Sequence, residues 1–111
     1  MKKLRGETAH EYEQGLYEPG HEHYLLRLYV TGMTPRSREA IARIKAICEE
    51  HLAGRYELEV IDIYQQPTLA QGEQIIATPT LIKKLPLPLR RLVGDLSDKQ
   101  RVLLGLDLRE A

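Results

Sequence analysis

Tyr24-Leu25-Leu26-Arg27-Leu28-Tyr29-Val30-Thr31-Gly32-Met33-Thr34-Pro35 passes from one backbone habit to another within twelve residues. The first seven are strand formers and mostly apolar, the composition of a central strand covered on both faces. Thr34 is suited to cap a helix, and Pro35 to occupy its first turn. After this junction Ile41, Ile44, Ile47, Cys48 and Leu52 recur at steps of mostly three and four, which predicts one apolar stripe on a helix ending at Gly54. The next segment, Tyr56-Glu57-Leu58-Glu59-Val60-Ile61-Asp62-Ile63, alternates and then turns apolar, as a strand does whose start reaches the open end of a sheet. Strand, helix and strand at this spacing form a right-handed βαβ unit with parallel strands, so the fold class is α/β.

Downstream, Pro67 opens a short helical stretch through Ile75, and Ala77-Thr78-Pro79-Thr80-Leu81-Ile82 returns to strand composition. From there two readings stay open. Leu89, Leu92, Val93 and Leu96 fit helical steps, yet Arg90-Arg91-Leu92-Val93-Gly94 also serves as a strand. Val102, Leu104, Leu106 and Leu108 alternate as in a strand, whereas Ser97 and Gln100 form a capping box for a helix. Gly105 weighs against the helix, because glycine costs about 1 kcal/mol relative to alanine in a helix interior.

The 111 residues suffice for one domain with a modest core. Sixteen basic and sixteen acidic side chains cancel, which removes the positive field that nonspecific nucleic-acid binding uses. No apolar run approaches the roughly 20 residues that cross a bilayer, so a soluble, cytoplasmic protein is expected, without nucleic-acid or membrane partners. The single cysteine, Cys48, allows no intrachain disulfide and no CxxC pair. Its place on the apolar stripe makes it a small buried hydrophobe. Residues 1–22 show no sustained apolar period and read as a disordered polar tail, leaving residues 23–111 as the folded domain. His10, His21 and His23 on or beside that tail make a weak metal site at best, and neither metal nor cofactor is expected. Asp95 and Asp98 flank a helix start, where the dipole favours carboxylates. Lys83, Lys84, Arg90 and Arg91 form the one local basic cluster, suited to an acidic partner patch or simply to solvent.

Five stretches taken together are recognisable: Leu28-Tyr29-Val30-Thr31-Gly32-Met33-Thr34-Pro35; Val60-Ile61-Asp62-Ile63; Ala77-Thr78-Pro79-Thr80-Leu81; Leu85-Pro86-Leu87-Pro88-Leu89-Arg90-Arg91; and Gly94-Asp95-Leu96-Ser97-Asp98 through Gly105-Leu106-Asp107-Leu108. In this order they resemble the KaiB family from about Tyr24 to Leu108. The resemblance implies a non-catalytic protein with two folds. One is a thioredoxin-like monomer that docks onto the hexameric ATPase KaiC; the other is a resting form, differently folded in its C-terminal half, that assembles into tetramers or dimers. It further implies docking through the second strand and short second helix, which marks Tyr56, Glu57, Glu59 and Gln74; Arg90 and Arg91, from the local basic cluster, complete the expected partner-binding residues. A sensor histidine kinase carrying a KaiB-like domain is the expected competitor for the same ATPase.

Where thioredoxins carry CxxC this chain has Met33-Thr34-Pro35-Arg36, while Thr78-Pro79 resembles the threonine and cis-proline facing that site. A thioredoxin-like oxidoreductase, or a glutathione- or peptide-binding protein, is the rival reading. Clock-type relatives are basic where this chain has Glu57 and Glu59, so a partner with a compensating basic surface is expected, in a circadian, stress-response or signalling system. Their triple proline is interrupted here as Pro86-Leu87-Pro88. Pro79, Gly105 and Asp107 are the expected fold-switch controls. Propensity makes Gly105→Ala favour the final helix, expected over Ser97 to Leu108, by about 1 kcal/mol. The helix dipole makes Asp107→Arg add about 0.3–1 kcal/mol.

Overall fold

The computed structural model describes residues 22–75, 77–94 and 96–108. The expected tail, apart from Glu22, lies outside the described residues, as do His10, His21 and Asp95.

Strand β1 (Tyr24–Val30) leads through Thr31–Thr34 into helix α1 (Pro35–Leu52). Thr34 caps this helix as its sequence suggests: its Oγ1 accepts the Ser37 amide at 3.1 Å, and Pro35 supplies no orphan N–H. The chain leaves α1 through Gly54 at φ +75°, a conformation glycine adopts without a Cβ clash. Strand β2 (Tyr56–Asp62) then pairs in parallel with β1, Leu28 opposite Val60, completing the βαβ unit.

Helix α2 (Pro67–Gly72) is shorter than the expected Pro67–Ile75. It stops because Gln74 takes φ +57°, which turns Ile75 back to pack with Ile63 on Tyr29, Ile61 and Ile82. The following strand also begins later than composition suggests. The Thr78-Pro79 peptide is cis, and the Thr80 hydroxyl donates to the Ala77 carbonyl at 2.5 Å, which holds residues 77–79 as a bend ahead of β3 (Thr80–Leu85).

The C-terminal ambiguity resolves one way in each half. Arg90–Val93 form strand β4, antiparallel to β3 with Lys83 opposite Arg90. Helix α3 covers Lys99–Gly105, and its cap is Asp98, not Ser97: the Asp98 carboxylate accepts the Arg101 amide at 3.3 Å. A carboxylate at that position also suits the helix dipole.

The sheet order β2-β1-β3-β4 places β1 and β3 inside and leaves β2 and β4 as edges. Helices α1 and α3 share one face, where Leu26, Leu28, Val30, Ile44, Leu52, Leu81, Val102 and Leu106 form the main core. Among the described residues the opposite face carries a small cluster of Tyr29, Ile61 and Ile82, with Ile63 and Ile75 packed against it. Tyr24 fastens α3 to the sheet, its hydroxyl donating to the Leu106 carbonyl at 3.0 Å.

Two sequence expectations need correcting. A Cβ at Gly105 would stand 2.5–2.7 Å from the Cγ and Cδ atoms of Leu92, which is 8% exposed. The propensity gain of Gly105→Ala is therefore opposed by a forced movement of Leu92, and propensity alone does not set its direction. Asp107 lies beyond α3 at φ +60° and accepts Lys83 Nζ at 2.5 Å and Arg90 at 3.2 Å. Asp107→Arg acts first on these cations, bringing a third positive charge to them, so the dipole argument does not describe this residue.

Candidate functional site

Edge strand β2 and the α2 segment that follows it present a largely exposed surface. Glu57, Glu59 and Val60 are exposed on β2; Pro67, Thr68, Leu69 and Gln71 on α2, and Gln74 just past it, are exposed as well. An edge strand offers a row of unpaired backbone donors and acceptors along with its side chains. Tyr56 is half-buried against the main core, and its hydroxyl donates to the Glu49 carboxylate on α1. That bond raises the phenol to about 12, so Tyr56 stays a neutral donor at physiological pH.

Arg90 and Arg91 lie on the opposite edge, so the sheet does not join them to Tyr56, Glu57 and Glu59. Alternation sends them to different faces. Arg90 meets Asp107 on the face of the main core, while Arg91 donates to the Glu73 carbonyl at 2.8 Å on the other. The basic cluster read from sequence is divided the same way. Lys83 is 1% exposed and paired with Asp107, and Lys84 bonds the Glu73 carboxylate. Glu73, which sequence reasoning passed over, is thus a junction for Lys84, Arg91 and, at 4.0 Å, Arg27. No local motif marks it, because its partners come from three separate strands.

The position of a thioredoxin-type redox site is also well defined. The Thr31 and Thr78 hydroxyls are 2.5 Å apart, bringing the β1–α1 junction against the cis Thr78-Pro79 bend. The Gly32 amide donates to Asp62 Oδ1 at 3.0 Å, and the Tyr64 ring lies beside Gly32, where an added Cβ would be 3.7 Å from its nearest carbon. Nothing in Met33-Thr34-Pro35-Arg36 is a thiol. Cys48 is fully buried on α1, 13 residues beyond Pro35, which at 1.5 Å per residue is about 20 Å along the axis. Burial raises its thiol to about 11, with the Glu49 charge adding to the effect. Labelling of native protein by a maleimide at neutral pH is therefore expected to be slow and to become rapid only in denaturant. Fast native labelling would show that Cys48 is accessible and ionised.

Residues 27–108 match the KaiB domain. The chain is 54% identical over 84 residues to circadian clock protein KaiB3 of Synechocystis sp., covering 76% of this chain and 82% of that protein. It is also 54% identical over 85 residues to circadian clock oscillator protein KaiB of Synechococcus elongatus, covering 77% and 83%. Among solved structures, the N-terminal domain of Synechococcus elongatus SasA superposes with a TM-score of 0.64 at 29% identity, over 80% of this chain and 88% of that one. Mitochondrial thioredoxin 3 from Saccharomyces cerevisiae gives 0.61 at 11% identity, over 89% and 88%, a likeness of fold alone. The architecture is thioredoxin-like, and the chain belongs to the KaiB family.

Proposed function

We propose that this protein is a non-catalytic regulator of a circadian or related signalling system that docks through β2 and α2 onto a KaiC-type ATPase. The observation that carries this reading is the exposed edge strand beside a short helix, in a member of the KaiB family whose redox position holds no thiol. The likeness to the SasA domain supports a sensor kinase as competitor for the same surface. The oxidoreductase reading lacks a nucleophile at the junction and finds Cys48 remote and buried. The glutathione- or peptide-binding reading has no observation in its favour beyond the fold.

Two folds in exchange are part of the proposal. Its support is the double pattern of residues 90–94 and 102–108, whose side chains suit strand and helix alike. Pro79 stands just before β3, while Gly105 and Asp107 at the end of α3 face Leu92, Lys83 and Arg90; these three are proposed as its control points, and a resting tetramer or dimer is proposed for the other fold.

Purified chain mixed with a KaiC-type ATPase in ATP is expected to co-elute with it on size exclusion. Replacing Glu57 and Glu59 together with Lys should weaken the complex by up to about 3 kcal/mol and alter its salt dependence, because rim charges act chiefly on association rate. Absence of any complex would refute the docking reading, whereas a double variant with unchanged affinity and salt dependence would place the docking face elsewhere.

A further inference from the structure

The two acidic residues of β2 are not equivalent. Glu57 and Glu59 stand two residues apart on one face of the edge strand, and both are exposed. Glu59 receives Arg27 Nε at 2.7 Å from the residue opposite it in the β1–β2 register. The Arg27 guanidinium also approaches Glu73 Oε2 at 4.0 Å, and Glu73 closes the C-terminal end of α2. Lys84 and Arg91 hold Glu73 from the other side. A line of alternating charges thus runs from β2 through Arg27 to the end of α2 and on to β3 and β4. Glu57 faces the apolar Leu25 in the same register and makes no hydrogen bond or ion pair among the described residues.

A cation arriving at Glu59 has to share that carboxylate with Arg27 or displace it, and displacement loosens the tie between β2 and α2. A cation arriving at Glu57 meets an unshared charge. Resting on the docking reading above, we infer that Glu57 is the residue by which the chain selects a basic partner surface. Arg27 is a positioning residue that holds β2 against α2 through Glu59 and Glu73. The two halves of the docking face are then joined by one side chain from the strand beneath them, and the acidic pair divides into a reader and an anchor.

The test uses the full chain and a KaiC-type ATPase in ATP, with association rates measured at about 0.05 and 0.15 M salt. Glu57→Gln is expected to slow association about threefold at the lower salt and to remove most of the salt dependence, while Glu57→Asp keeps both. Glu59→Gln should retain the salt dependence and instead shift the amide resonances of Glu73 and Gln74. Arg27→Gln should reproduce those shifts, and Arg27→Lys should restore part of the wild-type pattern. Loss of salt dependence in Glu59→Gln as complete as in Glu57→Gln, or unmoved Glu73 and Gln74 amides in Arg27→Gln, would overturn the assignment. If wild type does not bind the ATPase at all, the docking reading fails on its own. Pentalysine then serves as the probe: at low salt it should perturb the Glu57 amide of wild type and leave that of Glu57→Gln unmoved. Equal perturbation at Glu59 would refute the distinction.

Discussion

Leu28→Ala is expected to lower the stability of this fold by about 3–4 kcal/mol, the middle of the range for buried leucines. Leu28 has no exposed surface and sits at the centre of β1, opposite Val60 on one side and Leu81 on the other. Both neighbouring strands are fixed by their own ladders, and Ile44 and Cys48 of α1 belong to the same core, so little can collapse into the space left behind. Relative to the 5–15 kcal/mol typical of a folded domain, the loss is large. The control is Leu104→Ala on α3, where the side chain is 74% exposed and alanine is at least as good a helix former. That change should stay within about 0.5 kcal/mol. Urea unfolding measures both, and a loss below about 1 kcal/mol for Leu28→Ala would contradict the packing described.

The second large effect concerns Lys83, one of the few buried polar residues among the described ones. Its ammonium is neutralised by Asp107 at 2.5 Å and lies 5.9 Å from the Tyr24 ring centroid. Asp107→Asn preserves the shape of the side chain and the tolerance for positive φ, and removes only the charge. Breaking a wholly buried pair costs about 3–5 kcal/mol. The Asp107 side chain is 37% exposed, so water screens part of this and about 1–2 kcal/mol is expected. Lys83→Met leaves no buried cation, and adding it to Asp107→Asn should recover much of the loss. A double-mutant cycle with no coupling would remove the pair from the account of stability.

The same pair fixes a pH dependence. Hydrogen bonds from Lys83, and then from Arg90, hold the Asp107 carboxyl below its ordinary value of 3.8 despite partial desolvation. Because the folded pKa is the lower one, the stabilisation is complete above the ordinary value and is lost as pH falls through the folded value. Acid unfolding of Asp107→Asn should therefore show a shallower slope below about pH 4 than wild type.

How far the sequence reaches can be judged residue by residue. The βαβ unit was legible because its causes are local: the apolar run of β1, the Thr34 cap, the stripe through Ile44 and Cys48, and the turn at Gly54. Burial of Cys48 followed from that stripe. The proposal that β2 is a docking edge rests on family resemblance and not on periodicity, and the composition of that edge shows in the acidic positions of β2. The boundaries of α2 and β3 shifted by three residues or so because a positive φ at Gln74 and the bend at Pro79 are not visible as propensity.

Local pattern by itself determined the α/β class, the first three elements and the absence of a redox pair. Only the tertiary structure decided that Arg90–Val93 is a strand, since β3 supplies the ladder that an isolated double pattern cannot. It also decided that Lys83 is buried, that Glu73 gathers three cations, and that Leu92 fills the space beside Gly105. Each of these depends on which strands become neighbours and which face they turn toward α3. Strand order is set by contacts between residues far apart in the chain, so no local period records it.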